Sequence, residues 1–330
     1  MTDATMRAAR LHGIRNLRVD TIARPTPAPG ELLVKIEANG VCATDSRKYE
    51  IGVNDGHYPF NPGHEWLGRV AAVGAEVTGW REGDRVYGDT YGGYADYAVI
   101  PAAAMAWSRG PLRLPESLAP ERAIFVEPLA DCIHAVRDQA RLEPGQRLVV
   151  VAAGVMGLKI IADARRLGVE TLVIEPLAER RAMAQRFGAN RCIDPEGCWD
   201  EVKSWSGEQG VDAVILTLGN PDLINGCIAA CQPGGRVVLF AGFGNRPQAL
   251  INVNDLHYRE IALIGSEWIG TPPNQRRHRY DEALEMLQDP SIPFDALVTA
   301  RCGFAGLEQT LVRRQSYQGF KTMFVPEDGG

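Results

Sequence analysis

No stretch of the 330-residue chain approaches about 18 uninterrupted apolar residues, so no membrane-spanning helix is expected. The opening residues, MTDATMRAAR, lack the apolar core of a secretory signal. Basic runs are nearly absent. The longest is Arg276-Arg277-His278-Arg279, in a chain of net charge −6. Nucleic-acid binding needs a basic face to neutralise phosphates, so it is disfavoured. The seven cysteines show no CxxC spacing, and none lies between 42 and 132. An odd number of scattered thiols fits a reducing, cytoplasmic setting. Internal repeats and low-complexity segments are also lacking.

What is present is ordinary for a globular protein. Apolar residues make up 45% and charged residues 23%. The length allows roughly two domains, each able to bury its own core. Residues 1–125 are rich in glycine, proline and short β-type runs such as 31–36 (ELLVKI), 68–73 and 93–100 (GYADYAVI). Turn signals at 25–30 (PTPAPG) and 79–85 (GWREGDR) separate them. At Glu127-Pro128 the pattern changes. Proline suits a first helical turn, and Leu129, Cys132, Ile133, Val136 and Ala140 recur at helical spacing up to Pro144-Gly145.

From 147 to 264 strand and helix alternate. The run 148–152 (LVVVA) has the unbroken apolar character of a strand covered on both faces. A helix at 155–167 stops at Gly168. A strand at 171–174 follows, then a helix at 177–187 that stops at Gly188. Further strands are expected at 213–217, 237–241 and 261–264, with a helix at 221–231. This alternation predicts a doubly wound parallel sheet. Helices at 280–287 and 304–314 and a strand at 319–325 close the chain.

Cys42, His64, Glu65 and Glu127 carry the chemistry. One thiolate, one imidazole and a carboxylate are ligands for a zinc ion that keeps a coordination position open. Asp45 could fix the His64 tautomer, and Thr44 offers a hydroxyl for passing a proton. Each residue alone has a plainer explanation: a buried thiol, a turn, or an acid at a helix N-terminus. Their joint order ahead of a dinucleotide fold favours the metal.

With these motifs the chain resembles the zinc-dependent medium-chain dehydrogenase/reductase family, over nearly its whole length. The family pattern G-x-C-x-[ST]-D is met by Gly40, Cys42, Thr44 and Asp45. G-H-E-x-x-G-x-V-x-x-V-G is met by Gly63, His64, Glu65, Gly68, Val70, Val73 and Gly74. G-D-R-V falls at 83–86 and a GG-[FY]-A-[ED]-Y segment at 92–97. The resemblance implies an α/β protein with two domains. One is a GroES-like β-rich catalytic domain, 1–133 and 267–330. The other is a Rossmann dinucleotide-binding domain with a doubly wound parallel sheet, 134–266. The Glu-Pro at 127–128 is of polyol-dehydrogenase type. Glu65 and Glu127 are left to share the carboxylate role, one on the metal and one on its water. Two departures stand out. The four-cysteine lobe for a structural zinc is missing, so a single zinc is expected. Arg47 also occupies the position where relatives carry a relay histidine.

The loop 152–157 (AAGVMG) has Ala152 in place of the first fingerprint glycine. Gly154, Val155, Met156 and Gly157 can still bring backbone close to a pyrophosphate at a helix N-terminus. Glu175, 18 residues beyond Gly157, can accept from ribose hydroxyls and would repel a 2′-phosphate, which favours NAD over NADP. Arg180 and Arg181 pull the other way. The resemblance places Leu218, Gly219 and 240–242 near the cofactor. His12, His57, His134, His257 and His278 are read as structural or solvated, and Cys227 and Cys231 as core. Trp66, Tyr91, Tyr94 and Trp107 are read mainly as packing.

The expected activity is zinc- and NAD-dependent interconversion of a secondary alcohol and its ketone, with a polyol, sugar, amino sugar or cyclitol as substrate and a homo-oligomer as the working form. Thr44 and the cofactor ribose would carry the proton away. Two alternatives are a zinc-free quinone or enone reductase and a non-catalytic dinucleotide-binding protein.

Overall fold

The computed structural model describes residues 4–326, except 54, 104–109, 245, 268–270, 272 and 314–318 and the side chains of 273–276. Trp107 and Arg314 therefore lie outside the described residues. The chain forms two compact units. One contains residues 1–127, 271–290 and 294–330, the other 128–270 and 291–293.

The first unit begins with strands β1 (Thr5–Leu11), β2 (Leu17–Ala23) and β3 (Glu31–Gly40) and helix α1 (Ala43–Ile51). Strands β4 (Trp66–Val73), β5 (Arg85–Gly88), β6 (Tyr97–Pro101) and β7 (Leu112–Arg113) follow, then the short helix α2 (Pro120–Ala123). Helix α3 (Val126–His134) runs into a π-helical turn at Ala135–Gln139. The second unit alternates β8 (Arg147–Val151), α4 (Val155–Leu167), β9 (Glu170–Ile174), α5 (Ala178–Phe187), β10 (Arg191–Ile193) and α6 (Cys198–Ser206). It continues with β11 (Val211–Leu216), α7 (Ile224–Ala230), β12 (Cys231–Leu239), α8 (Val253–Tyr258) and β13 (Ala262–Gly265). Helix α9 (Pro273–Gln288), strand β14 (Val298–Cys302), helix α10 (Phe304–Arg313) and strand β15 (Lys321–Phe324) complete the chain.

In the first unit β3 is the organising strand. It pairs antiparallel with β4, β6 and β15, within the order β14-β15-β3-β4-β5-β7. Its apolar residues pack Leu32, Val34 and Ile36 against Trp66, Val70, Val86, Ala98 and Ile100. Because β3 is held in the sheet up to Gly40, the direction in which the chain leaves it toward Cys42 is fixed.

The second unit is a parallel six-stranded sheet of order β10-β9-β8-β11-β12-β13. Crossovers run one way from β8 to β10 and the other way from β11 to β13. The switch point therefore lies between β8 and β11, where ligands bind in open α/β sheets. Gly168 (φ 79°) and Gly188 (φ 108°) end α4 and α5 in left-handed conformation, as their sequence positions predict.

The structure departs from sequence expectation in local detail. The helix expected to run to 140 gives way to the π turn, because side-chain periodicity does not register one inserted residue. His134 Nδ1 there lies 2.8 Å from Asp138, an i,i+4 contact that gives this histidine a structural place in the turn. Residues 221–223 form a 3-10 turn before α7 rather than one helix to 231. Strand β10 and helix α6 add a strand–helix pair that periodicity had not marked.

Ala152, at the end of β8, has φ 77°. An L side chain in this region costs about 1–2 kcal/mol, whereas glycine loses about 0.5–1 kcal/mol of extra backbone freedom on folding. Ala152→Gly should therefore raise stability by up to about 1 kcal/mol. A denaturation midpoint lower than that of the parent protein would refute the strain at this position.

Candidate metal centre and dinucleotide site

Cys42 lies just beyond β3 and caps α1 with extended backbone (φ −100°, ψ 154°). His64 and Glu65 lead into β4. The two segments are sewn together: Gly40 N–H donates to Glu65 O (2.8 Å), and Glu65 N–H donates to Asn39 Oδ1 (3.0 Å). Glycine is required where they meet. A Cβ on Gly40 would stand 2.2 Å from Glu65 Oε2, and one on Gly63, whose φ is +90°, 2.2 Å from Asn39 Nδ2.

This approach brings Sγ of Cys42, a ring nitrogen of His64 and a carboxylate oxygen of Glu65 within 4.8 Å of one another. Among the described residues they are the one group of three or more acidic, His or Cys side chains so arranged. A thiolate, an imidazole and a carboxylate fit the three-ligand open shell of a catalytic zinc. Glu127 stands outside this group. It lies in the first turn of α3, close enough for its charge to help raise the buried Tyr87 hydroxyl's pKa, behind burial and ahead of Glu65.

Asp45 is fully buried and holds the cluster from behind. Its Oδ1 accepts from Gly63 N–H (3.1 Å) and lies 3.3 Å from His64 Nδ1, and its Oδ2 accepts from Tyr94 Oη (2.9 Å). The Nδ1 contact is one of charge, since no well-aligned hydrogen bond reaches that nitrogen. Burial opposes ionisation of Asp45, yet His64 and the donated hydrogen bonds keep its pKa below the ordinary value. Burial also disfavours imidazolium, but Asp45 and Cys42 outweigh it and raise His64 well above its usual range. Cys42 is opposed by burial and by Glu65, yet His64 and Lys321 leave its thiol more acidic than normal.

These shifts favour a thiolate on Cys42 beside an imidazolium on His64 in the metal-free protein. Zinc binding must then expel about one proton, that of His64, and affinity should rise with pH until the imidazolium is lost. Calorimetric zinc titration in buffers of different ionisation enthalpy measures this release. A pH-independent affinity with no proton released would contradict the thiolate–imidazolium pairing.

Lys321, from β15, was not singled out in the sequence. Its Nζ donates to Glu65 Oε2, and the two side chains are only 3% exposed. Asn39 and Tyr94 were likewise missed as supports. Thr44 sits exposed in the first turn of α1, and Arg47 is exposed one turn on.

In the second unit the loop after β8 is tightly bonded. Ala152 N–H donates to Ile174 O (2.9 Å) and Ala153 N–H to Glu175 Oε2 (2.8 Å). Glu175 Oε1 also accepts from Leu177 N–H (3.0 Å), so the buried carboxylate fixes the loop. Thr217, another residue not foreseen, donates its hydroxyl to Val151 O or Ala152 O, each at 2.9 Å. A Cβ on Gly157 would strike Ala152 O at 2.2 Å, and one on Gly219 would strike Gly242 O at 2.2 Å. Gly154 caps α4 without a side-chain acceptor. The first-turn amides, from Val155 through Gly157, thus have no capping side chain, as at a helix N-terminus that can receive an anion. Leu218 follows β11 beside Gly219, and Arg180 is half-exposed on α5. Arg181 Nη1 donates to Glu175 O, Pro176 O and Asp194 Oδ2. Cys227 and Cys231 pack in the sheet core, where burial pushes the Cys231 thiol up to about 12.

The chain is similar to known proteins over nearly its whole length. The model of the "Alcohol dehydrogenase GroES-like domain" family matches residues 28–109, and that of the "Zinc-binding dehydrogenase" family matches 155–289. An L-threonine 3-dehydrogenase of Pyrococcus abyssi (strain GE5 / Orsay) is 31% identical over 98% of both chains. A sorbitol dehydrogenase of Bacillus subtilis (strain 168) is 26% identical over 97% of both. The crystal structure of a zinc-binding dehydrogenase from Sinorhizobium meliloti 1021 bound to NADP superposes with TM-score 0.86 at 24% identity, over 98% of this chain and 100% of that one, and shares the fold. The chain belongs to the zinc-type medium-chain alcohol dehydrogenase family: an alcohol-type oxidoreductase with a GroES-like domain, a Rossmann-type parallel sheet and a nicotinamide cofactor.

Proposed function

We propose that the protein is a zinc- and NAD-dependent dehydrogenase that interconverts a secondary alcohol of polyol, sugar, amino sugar or cyclitol type with its ketone. The approach of Cys42, His64 and Glu65 carries this reading, together with the sorbitol dehydrogenase among the relatives. Cys42, His64 and Glu65 would hold the metal, with Glu127 facing the remaining position. When bound, zinc supplies Lewis acidity that lowers the pKa of a coordinated hydroxyl. Asp45 keeps His64 oriented through its charge and the Gly63 and Tyr94 bonds. Thr44 is the residue to take the substrate proton.

The amides at 155–157 would bind pyrophosphate, and Glu175 would face the adenosine ribose, with Leu218 and Gly219 lining the cofactor. NAD is favoured because Glu175 would repel a 2′-phosphate and the Arg181 guanidinium is held by two carbonyls and Asp194. The working form is taken as a homo-oligomer, since β13 forms a sheet edge. No helix among the described residues is long and apolar enough to cross a membrane, and the place of action is taken as the cytoplasm.

The test is a screen for NAD and NADP reduction across polyols, sugars, sugar acids and aminocyclitols. The expected result is reduction with at least one of these alcohols, NAD preferred over NADP. Activity confined to quinone or enone reduction, or no turnover at all, would refute the assignment.

A further inference from the structure

Helix α1 carries two cations that the dehydrogenase reading leaves unused, Arg47 and Lys48. Among the described residues neither forms an ion pair. The nearby carboxylates of the helix and its neighbour are engaged elsewhere: Glu50 binds Arg15, and Glu308 accepts from Tyr49 Oη. Lys48 is nonetheless held in place. Its Nζ lies 5.2 Å from the ring centres of both Phe60 and Tyr91. Those rings meet edge to face at 5.0 Å, and Tyr91 meets the His64 imidazole edge to face at 5.2 Å.

The aromatic faces attract an ammonium but bring no counter-charge. The wall therefore presents a positioned cation whose charge is unmatched, next to a candidate metal ligand. Tyr91 is 39% exposed, so this wall is open to solvent. Two contacts of 5.2 Å through Tyr91 connect imidazole and ammonium, the reach of a substrate a few carbons long. A neutral polyol would leave the cation without its best partner, whereas an anionic group would form a charge-assisted hydrogen bond with it.

We propose that Lys48 determines specificity, and that the substrate is an alcohol bearing an anionic group, a carboxylate or a phosphate, a few carbons from the reacting carbinol. This rests on the dehydrogenase reading above. Lys48 touches the substrate's anionic end and takes no part in hydride or proton transfer.

A matched set of substrates tests it: a hexitol, the corresponding hexonate and the hexitol phosphate, each with wild type, Lys48→Met and Lys48→Arg. For wild type, kcat/KM should favour one of the anions over the hexitol at least about tenfold, and the arm that wins identifies the group. Lys48→Met should cut kcat/KM for that anion about tenfold to hundredfold, mainly through KM, while the hexitol changes less than about twofold. Lys48→Arg should keep most of the preference. Calorimetric binding of the preferred anion, without NAD, should weaken in parallel in Lys48→Met and with added salt. If wild type prefers the neutral hexitol, or Lys48→Met lowers all three substrates equally, the inference falls and the dehydrogenase reading stands. If no alcohol of any kind reduces NAD or NADP, both fall together.

Discussion

Cys42→Ala is expected to bring zinc from about one ion per chain to near zero and to abolish turnover, with NAD(H) binding largely retained. The expectation follows from where Cys42 sits. It is the sulfur member of the three-residue group and lies outside the sheet that forms the dinucleotide site. Its thiol is held toward the anionic form by His64 and Lys321 against burial and Glu65, and the anion is the form a metal needs. Alanine in its place leaves only an imidazole and one carboxylate. Emission spectroscopy for metal content and fluorescence titration with NADH separate the two effects. Full zinc content in the variant would show that the sulfur is not a ligand. Loss of both zinc and NADH binding would point to a folding defect, which a circular dichroism spectrum would reveal.

The second large effect is expected at Lys321. Lys321 and Glu65 form a nearly fully buried ion pair. Removing one partner of such a pair strands an uncompensated charge and costs about 3–5 kcal/mol. Lys321→Met should lose stability on that scale in metal-free protein, and added zinc should restore part of it by giving Glu65 a cationic partner. Glu65→Gln combined with Lys321→Met should be more stable than Lys321→Met alone, because the stranded charge is gone. A Lys321→Met variant as stable as wild type without metal would show that Glu65 is not held by this pair. The lysine then also has a functional side: it anchors one Glu65 oxygen, and with it the orientation of the carboxylate toward Cys42 and His64.

The candidate metal group is readable in the sequence because its residues sit in fixed spacings around glycines. Gly40 and Gly63 are needed since a Cβ at either would collide with Glu65 or Asn39. The parallel sheet was readable from its apolar runs and from Gly168 and Gly188, which need left-handed backbone. Lys321 could not be found this way. It reaches Glu65 from 256 positions further along the chain, through the pairing of β15 with β3, and nothing near Lys321 in sequence marks it. Thr217 is similar, since its role depends on β11 lying beside β8. The choice between Glu65 and Glu127 is also one of distance: both are acids in suitable motifs, but only Glu65 stands in the candidate three-residue group. The π turn after α3 escaped because one extra residue leaves the apolar spacing nearly unchanged.

A single zinc held by Cys42, His64 and Glu65 is the arrangement expected in the working protein. Zinc-edge X-ray absorption of the purified protein measures this most directly. About one zinc per chain is expected, with one sulfur at about 2.3 Å and the remaining nitrogen and oxygen neighbours at about 2.0–2.2 Å. A shell of several sulfurs, or one with no sulfur, would contradict it.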